Sequence, residues 1–134
     1  TQKVNEILHM LEDRMGDDQQ DLFFMSYHVY YRTGQYRKAA DTAQEAIEAG
    51  FDQSFSVVVE SSLMFASLVN DELPGALEAC DRLIERIREF KQEIPDDFLE
   101  DVLDEVRYIQ QAHPDLAGAQ EVAQKLEAAK EELY

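Results

Sequence analysis

Apolar residues recur three and four positions apart along nearly the whole chain, the period that places them on one face of an α-helix. Short polar or glycine-bearing breaks divide this pattern into seven segments. The first, about residues 2–15, aligns Val4, Ile7, Leu8, Leu11 and Met15 ahead of Gly16 and Asp17. The second, about 18–33, is crowded with Phe23, Phe24, Met25, Tyr27, Val29, Tyr30 and Tyr31. Gly34 ends it, because glycine takes a positive φ at little steric cost. The third, about 35–49, offers a face of Tyr36, Ala39, Ala40, Ala43, Ala46 and Ile47 and stops at Gly50. A face that small requires a close neighbour.

The fourth segment, about 53–70, opens on the run from Phe55 to Val59, whose β-branched residues also favour a strand. The following Leu63, Met64, Ala66 and Leu68 extend it to helical length. Pro74 suits the first turn of a fifth helix, where its missing N–H is not needed. The face of that helix is Leu73, Ala76, Leu77, Cys80, Ile84 and Ile87, to about Lys91. Pro95 opens the sixth in the same way, with Phe98, Val102, Val106 and Ile109 on one stripe. The seventh follows Pro114 and carries Leu116, Ala119, Ala123, Leu126 and Leu133. Breaks of about three to six residues force successive helices to pack antiparallel.

The stretch from Tyr30 to Ala39 has an aromatic, then Gly34, then Tyr36 two positions on and a small residue three further. It resembles the junction between the two helices of a tetratricopeptide repeat. On that alignment the second-helix places of the family fall on Tyr36, Ala39, Ala43 and Ala46. They recur as Leu73, Ala76, Cys80 and Leu83, then as Leu116, Ala119, Ala123 and Leu126, and in part upstream as Val4, Leu8 and Leu11. Anchors at 4, 39, 76 and 119 stand 35, 37 and 43 apart, against a family period of about 34. A small anchor is needed because paired helices cross closely there. The later repeats lack the junction glycine, and Tyr27 stands where a small residue is usual.

The resemblance implies an all-α fold, a right-handed superhelix of antiparallel helix pairs with about seven helices in one domain. Residues 1–17 would form an N-terminal helix or half repeat, and 18–51, 52–92 and 93–134 three repeats, the last degenerate. An ordinary helical bundle with coincident alanines is the alternative architecture.

Composition narrows the function. Twenty-nine acidic residues oppose 12 basic ones, a net charge of −17, so nucleic acid and anionic membrane surfaces are not expected partners. The charge is spread along the chain, and a solvated surface accounts for most of it. No apolar run approaches the roughly eighteen residues of a membrane span. Cys80 is the only cysteine, so no internal disulfide can form, and a cytoplasmic location is expected.

Little points to catalysis. His9, His28 and His113 belong to three different helical segments, and there is no phosphate-binding glycine loop or nucleophile elbow. Cys80 occupies a core place and reads as a small hydrophobe. Asp96, Asp97, Glu100, Asp101, Asp104 and Glu105 lack the glycine and ligand spacing of a calcium loop and read as a solvated helix face. Arg82, Arg86, Arg88 and Lys91 stand three or four residues from Glu78, Glu85 and Glu89, which predicts pairing within the fifth helix. No enzyme activity, cofactor or metal is expected.

In the tetratricopeptide family the first helix of each pair lines a concave groove that holds a partner segment. By position, the resemblance places Phe24, His28, Tyr31 and Arg32 there from the first repeat, with Asp21 beside them. Ser61, Phe65, Leu68 and Val69 would follow from the second. Asp104 and Tyr108, with Asp101 and Gln111, would come from the third. The second segment has more aromatics than one buried stripe can use, so some should stay exposed as binding anchors. Members that capture a terminal carboxylate use Lys, Asn and Arg at fixed groove places, two of which hold Phe24 and His28 here. The expected role is therefore an adaptor, chaperone or regulatory module whose partner has apolar anchors and a basic flank. Self-association through the same surface, giving a homodimer, is the alternative, and small-ligand binding in the groove a third.

Overall fold

The computed structural model describes the backbone of residues 19–116 and 118–134, and side chains from residue 23 onward. The expected helix at about 2–15, with its anchor Val4, lies outside the described residues. Within them the regular elements are α1 (Gln19–Arg32), α2 (Tyr36–Glu48), a 3-10 turn (Gln53–Phe55), α3 (Ser56–Val69), α4 (Leu73–Glu89), α5 (Phe98–Ala112) and α6 (Gly118–Leu133). No strand occurs among the described residues. The β-branched run at 55–59 is helical after all. Asp52 accepts a hydrogen bond from the Ser54 amide at 2.8 Å and opens the turn that leads into α3.

Burial explains why propensity yields there. α3 lies between α2 and α4 and also touches α5, and Val57, Val59, Ser61, Ser62 and every residue from Met64 to Leu68 are buried. A helix apolar on nearly all sides must be covered on nearly all sides. α2 shows the opposite economy, with Ala39, Ala40, Ala43 and Ala46 each no more than 2% exposed. The three described anchors Ala39, Ala76 and Ala119 are all 0% exposed, so any larger side chain there would have to displace a neighbouring helix.

The junctions carry a repeated device. After α1, the Gly34 amide donates to Tyr31 O at 3.2 Å and the Gln35 amide to Tyr30 O at 2.8 Å. After α3, Asp71 donates to Leu68 O at 3.1 Å and Glu72 to Ser67 O at 2.8 Å. The same pair closes α2, from the Gly50 amide to Ile47 O and the Phe51 amide to Ala46 O, both at 3.0 Å, so it is the general way these helix ends satisfy their orphan carbonyls. Asp71 takes φ +57° where Gly34 takes φ +77°, so the glycine missing from the second junction is replaced by an aspartate in the left-handed region. Because a Cβ is disfavoured there, Asp71→Gly is expected to stabilise the protein by about 0.5 kcal/mol, after the entropy that glycine adds to the unfolded chain. Gly34→Ala is expected to destabilise it by about 1 kcal/mol. Urea unfolding of the two variants checks both signs.

The third and later boundaries shift slightly. Pro74 sits in the first turn of α4 as expected. Pro95, by contrast, precedes α5 in a turn closed by the Phe98 amide on Pro95 O at 3.1 Å.

The basic residues of α4 do not pair mainly along their own helix. Arg86 bonds Glu89 at 2.8 Å, but Arg82 reaches Glu60 on α3 and Arg88 reaches Glu132 on α6, both at 2.7 Å. Lys91 lies over the Tyr134 ring at 4.9 Å. Further pairs join α6 to α4 (Lys125 to Asp81, 2.6 Å) and to α5 (Arg107 to Glu127, 2.9 Å; Lys130 to Glu100). A facing helix offers a carboxylate at shorter reach than the preceding turn does. Exposed pairs of this kind contribute only about 0–1 kcal/mol each, so they set register more than stability. No helix among the described residues is long and apolar enough to cross a membrane.

Candidate functional site

The turn at Gly34 folds α2 back so that Tyr36, in its first helical position, meets the last turn of α1. Tyr31 and Tyr36 contact edge to face with centroids 5.7 Å apart, and Phe65 of α3 lies 6.0 Å from Tyr31 and 5.4 Å from Tyr36. The Tyr36 hydroxyl donates to Glu105 Oε1 on α5 at 2.6 Å. One hydrogen bond thus ties the start of α2 to α5 across 69 residues of sequence.

Above this platform opens a cavity of about 550 Å³, lined by His28, Tyr31, Arg32, Tyr36, Glu105 and Tyr108. A smaller cleft of about 230 Å³ adjoins it at Tyr36 and Tyr108 and extends to Val69 and His113. At the opposite ends of the same helices, Phe24 meets Phe55 at 5.4 Å. Phe55, Val58 and Phe98 line a further recess of about 150 Å³. The start of α1 therefore meets the start of α3, and the end of α1 meets the ends of α3 and α5.

The cavity walls are uncharged except at Glu105 and Arg32, with His28 exposed at the edge. Burial holds the Tyr31 and Tyr36 phenols well above the usual tyrosine range. For Tyr31 the Glu105 charge adds to this, and for Tyr36 so does the bond it donates to Glu105. Both rings are neutral donors at physiological pH. Tyr27, one turn before Tyr31, is also raised by burial.

Of the expected groove residues, the cavity brings together His28, Tyr31, Arg32 and Tyr108. Tyr108 is 64% exposed, and Phe24, at the far end of α1, is 47% exposed. Asp104 is exposed and lies 3.5 Å from Arg107 on its own helix. Val69 is partly exposed in the adjoining cleft. Ser61, Phe65 and Leu68 are elsewhere: each is buried, at 3%, 1% and 2% exposure. Phe65 lies under Tyr31 and Tyr36 as part of the core, so the middle of the surface is formed by the tyrosines that cover α3 rather than by α3 itself. Asp101 and Gln111 are exposed on α5.

Four lining residues fall outside the expected groove set, Thr33 and Gly34 of the turn together with Tyr36 and Glu105. The sequence marks Tyr36 only as a repeat position and Glu105 only as part of a solvated acidic run. Nothing in either local segment reports a contact 69 positions away.

Cys80 is fully buried in α4, and burial pushes its thiol up to about 11. No group of three or more His, Cys, Asp or Glu side chains converges as a cation site among the described residues. Compared with family models, curated proteins and solved structures, the chain matches none.

Proposed function

We propose that this chain is a protein-interaction module of the tetratricopeptide type, binding a partner segment across α1, α3 and α5 as an adaptor, chaperone or regulatory domain. The repeat reading is supported by the fully buried alanine anchors at 39, 76 and 119. In such a superhelix α1, α3 and α5 are the inner helices.

The observation that carries the function is the surface those helices leave open. Phe24 and Tyr108 are large, exposed aromatics at its two ends, with half-buried Tyr31 between them and Arg32 and Glu105 at hand. Aromatic rings with a polar tip, together with arginine, are the side chains that most often anchor a partner. A cavity open to solvent and lined by neutral phenols has donors and surface to offer, but no activated nucleophile.

Panning a displayed library of random peptides against the folded protein tests the proposal. Peptides carrying apolar or aromatic anchors and a basic flank should be enriched. Changing Phe24, Arg32 and Tyr108 together to Ala should weaken their binding at least about 100-fold, since each anchor contributes on the order of 1–2 kcal/mol. Phe24, Arg32 and Tyr108 are exposed, so unfolding is not the expected cause of any loss. Enriched peptides that bind the triple variant unchanged would remove the groove from the account.

A further inference from the structure

The cavity between α1 and α5 holds a carboxylate set among phenol rings. Glu105 Oε1 accepts from the Tyr36 hydroxyl at 2.6 Å, and Tyr31 and Tyr108 line the same space. Among the described residues no Lys, Arg or His nitrogen lies within ion-pair distance of Glu105, although Glu100 and Asp104 on the same helix both pair with Arg107. Tyr36 and, from the other wall, Tyr31 lie in hydrogen-bonding reach of Glu105, and a carboxylate offers about four acceptor places. A partly buried carboxylate with open acceptor sites beside electron-rich ring faces is complementary to an organic cation, through charge-assisted hydrogen bonds and cation–π attraction together.

Resting on the groove reading above, we infer that this cavity takes an arginine side chain of the partner segment, its guanidinium on Glu105 and against the Tyr108 ring. Arginine suits the place better than lysine because its planar fork meets a carboxylate and its flat face stacks on an aromatic ring, whereas an ammonium does only the first well. Tyr108, at 64% exposure, has a ring face free to be covered. Arg32 lines the same cavity and repels a second cation near itself, which assigns the guanidinium to the Glu105 and Tyr108 side. The chain's net charge of −17 draws a basic segment towards the surface.

Titration of the full chain with N-acetyl-arginine N-methylamide, followed by NMR of the tyrosine ring protons, tests the assignment. Saturable shifts are expected, with N-acetyl-norleucine N-methylamide giving none. Glu105→Gln should weaken the arginine probe about tenfold. Its amide oxygen still accepts from Tyr36, so the tie between α2 and α5 is retained. Tyr108→Ala, at an exposed position with no packing role, should weaken it about fivefold. Arg88→Ala, whose guanidinium pairs with Glu132 outside the cavity, should leave binding unchanged.

An absence of saturable shifts, equal binding of the norleucine probe, or indifference to both Glu105→Gln and Tyr108→Ala would overturn the inference. If the probe fails while library peptides still bind through Phe24, Arg32 and Tyr108, this pocket assignment falls and the groove stands. If the probe binds through Glu105 while no peptide is selected, the groove falls and the cation site stands.

Discussion

Truncating Phe65 to Ala is expected to destabilise the protein by about 3–5 kcal/mol, a large part of the stability of any domain of this size. Phe65 is 1% exposed and contacts both Tyr31 and Tyr36, so its removal opens a cavity where α1, α2 and α3 meet. The rings above it are fixed by more than packing, because Tyr36 is held to Glu105. They therefore have little freedom to collapse into the space, which places the cost towards the upper end of the range. Tyr108→Ala, by contrast, removes a ring that is 64% exposed and should change stability by less than about 0.5 kcal/mol. Urea unfolding of the two variants gives both numbers. A loss below about 1 kcal/mol for Phe65→Ala would show that the aromatic platform is not a packed core.

The Phe65 variant also separates two ways of reading this residue. The tetratricopeptide resemblance would place Phe65 in a binding groove; burial places it in the core. Whether a residue on α3 faces a partner depends on how far α1 and α5 close over it, and that is decided by side chains on those other helices. The periodicity of α3 contains no such information, because nearly every face of it is apolar. Helix positions were far more legible. The spacing predicts segments at about 35–49 and 53–70, and the helices run Tyr36–Glu48 and Ser56–Val69. Helical period and glycine breaks are local signals, which is why they survive translation into structure.

Junction chemistry was legible only where glycine announced it. Gly34 takes a positive φ as expected and Gly50, expected only as a stop, does so too, but Asp71 takes a left-handed conformation without a glycine to mark it. Ion pairing was misread for a related reason. Spacing of three or four along α4 is visible in the sequence, whereas Glu60 on α3 and Glu132 on α6 become partners only once the helices pack. The bond from Tyr36 to Glu105 is the extreme case, joining two segments whose local patterns describe a repeat anchor and a solvated acidic face. Long-range polar contacts are fixed by the fold as a whole, and their sequence signature is correspondingly faint.

Stability is expected to collapse in alkali, starting near pH 9 and steepening above pH 10. The groups responsible are Cys80, with an ordinary value of 9.0 raised to about 11, and Tyr27, Tyr31 and Tyr36, each raised from 10.0. Burial is the first cause in every case, and the Glu105 charge adds to it for the three tyrosines. An acid whose folded value is raised stabilises the fold fully below its unfolded value. That contribution is lost as pH climbs towards the folded value, because the unfolded chain then releases protons the folded one retains. Each such group removes about 1.4 kcal/mol per pH unit in that window. Tyr31 and Tyr36 are each partly open to solvent, so their joint loss is at most about 3 kcal/mol per unit, with Tyr27 acting in the same direction. Lys125, raised by its bond to Asp81, loses its charge in the same direction, but it is an exposed pair and adds little. Urea midpoints measured at each pH from 8 to 11 should fall with this curvature. Tyr31→Phe, which keeps the ring and removes the titrating hydroxyl, should make the slope above pH 10 shallower. A slope identical in the parent and the Tyr31→Phe protein would show that these phenols already ionise freely in the folded state, and that the cavity floor between α1 and α5 is wetter than its packing indicates.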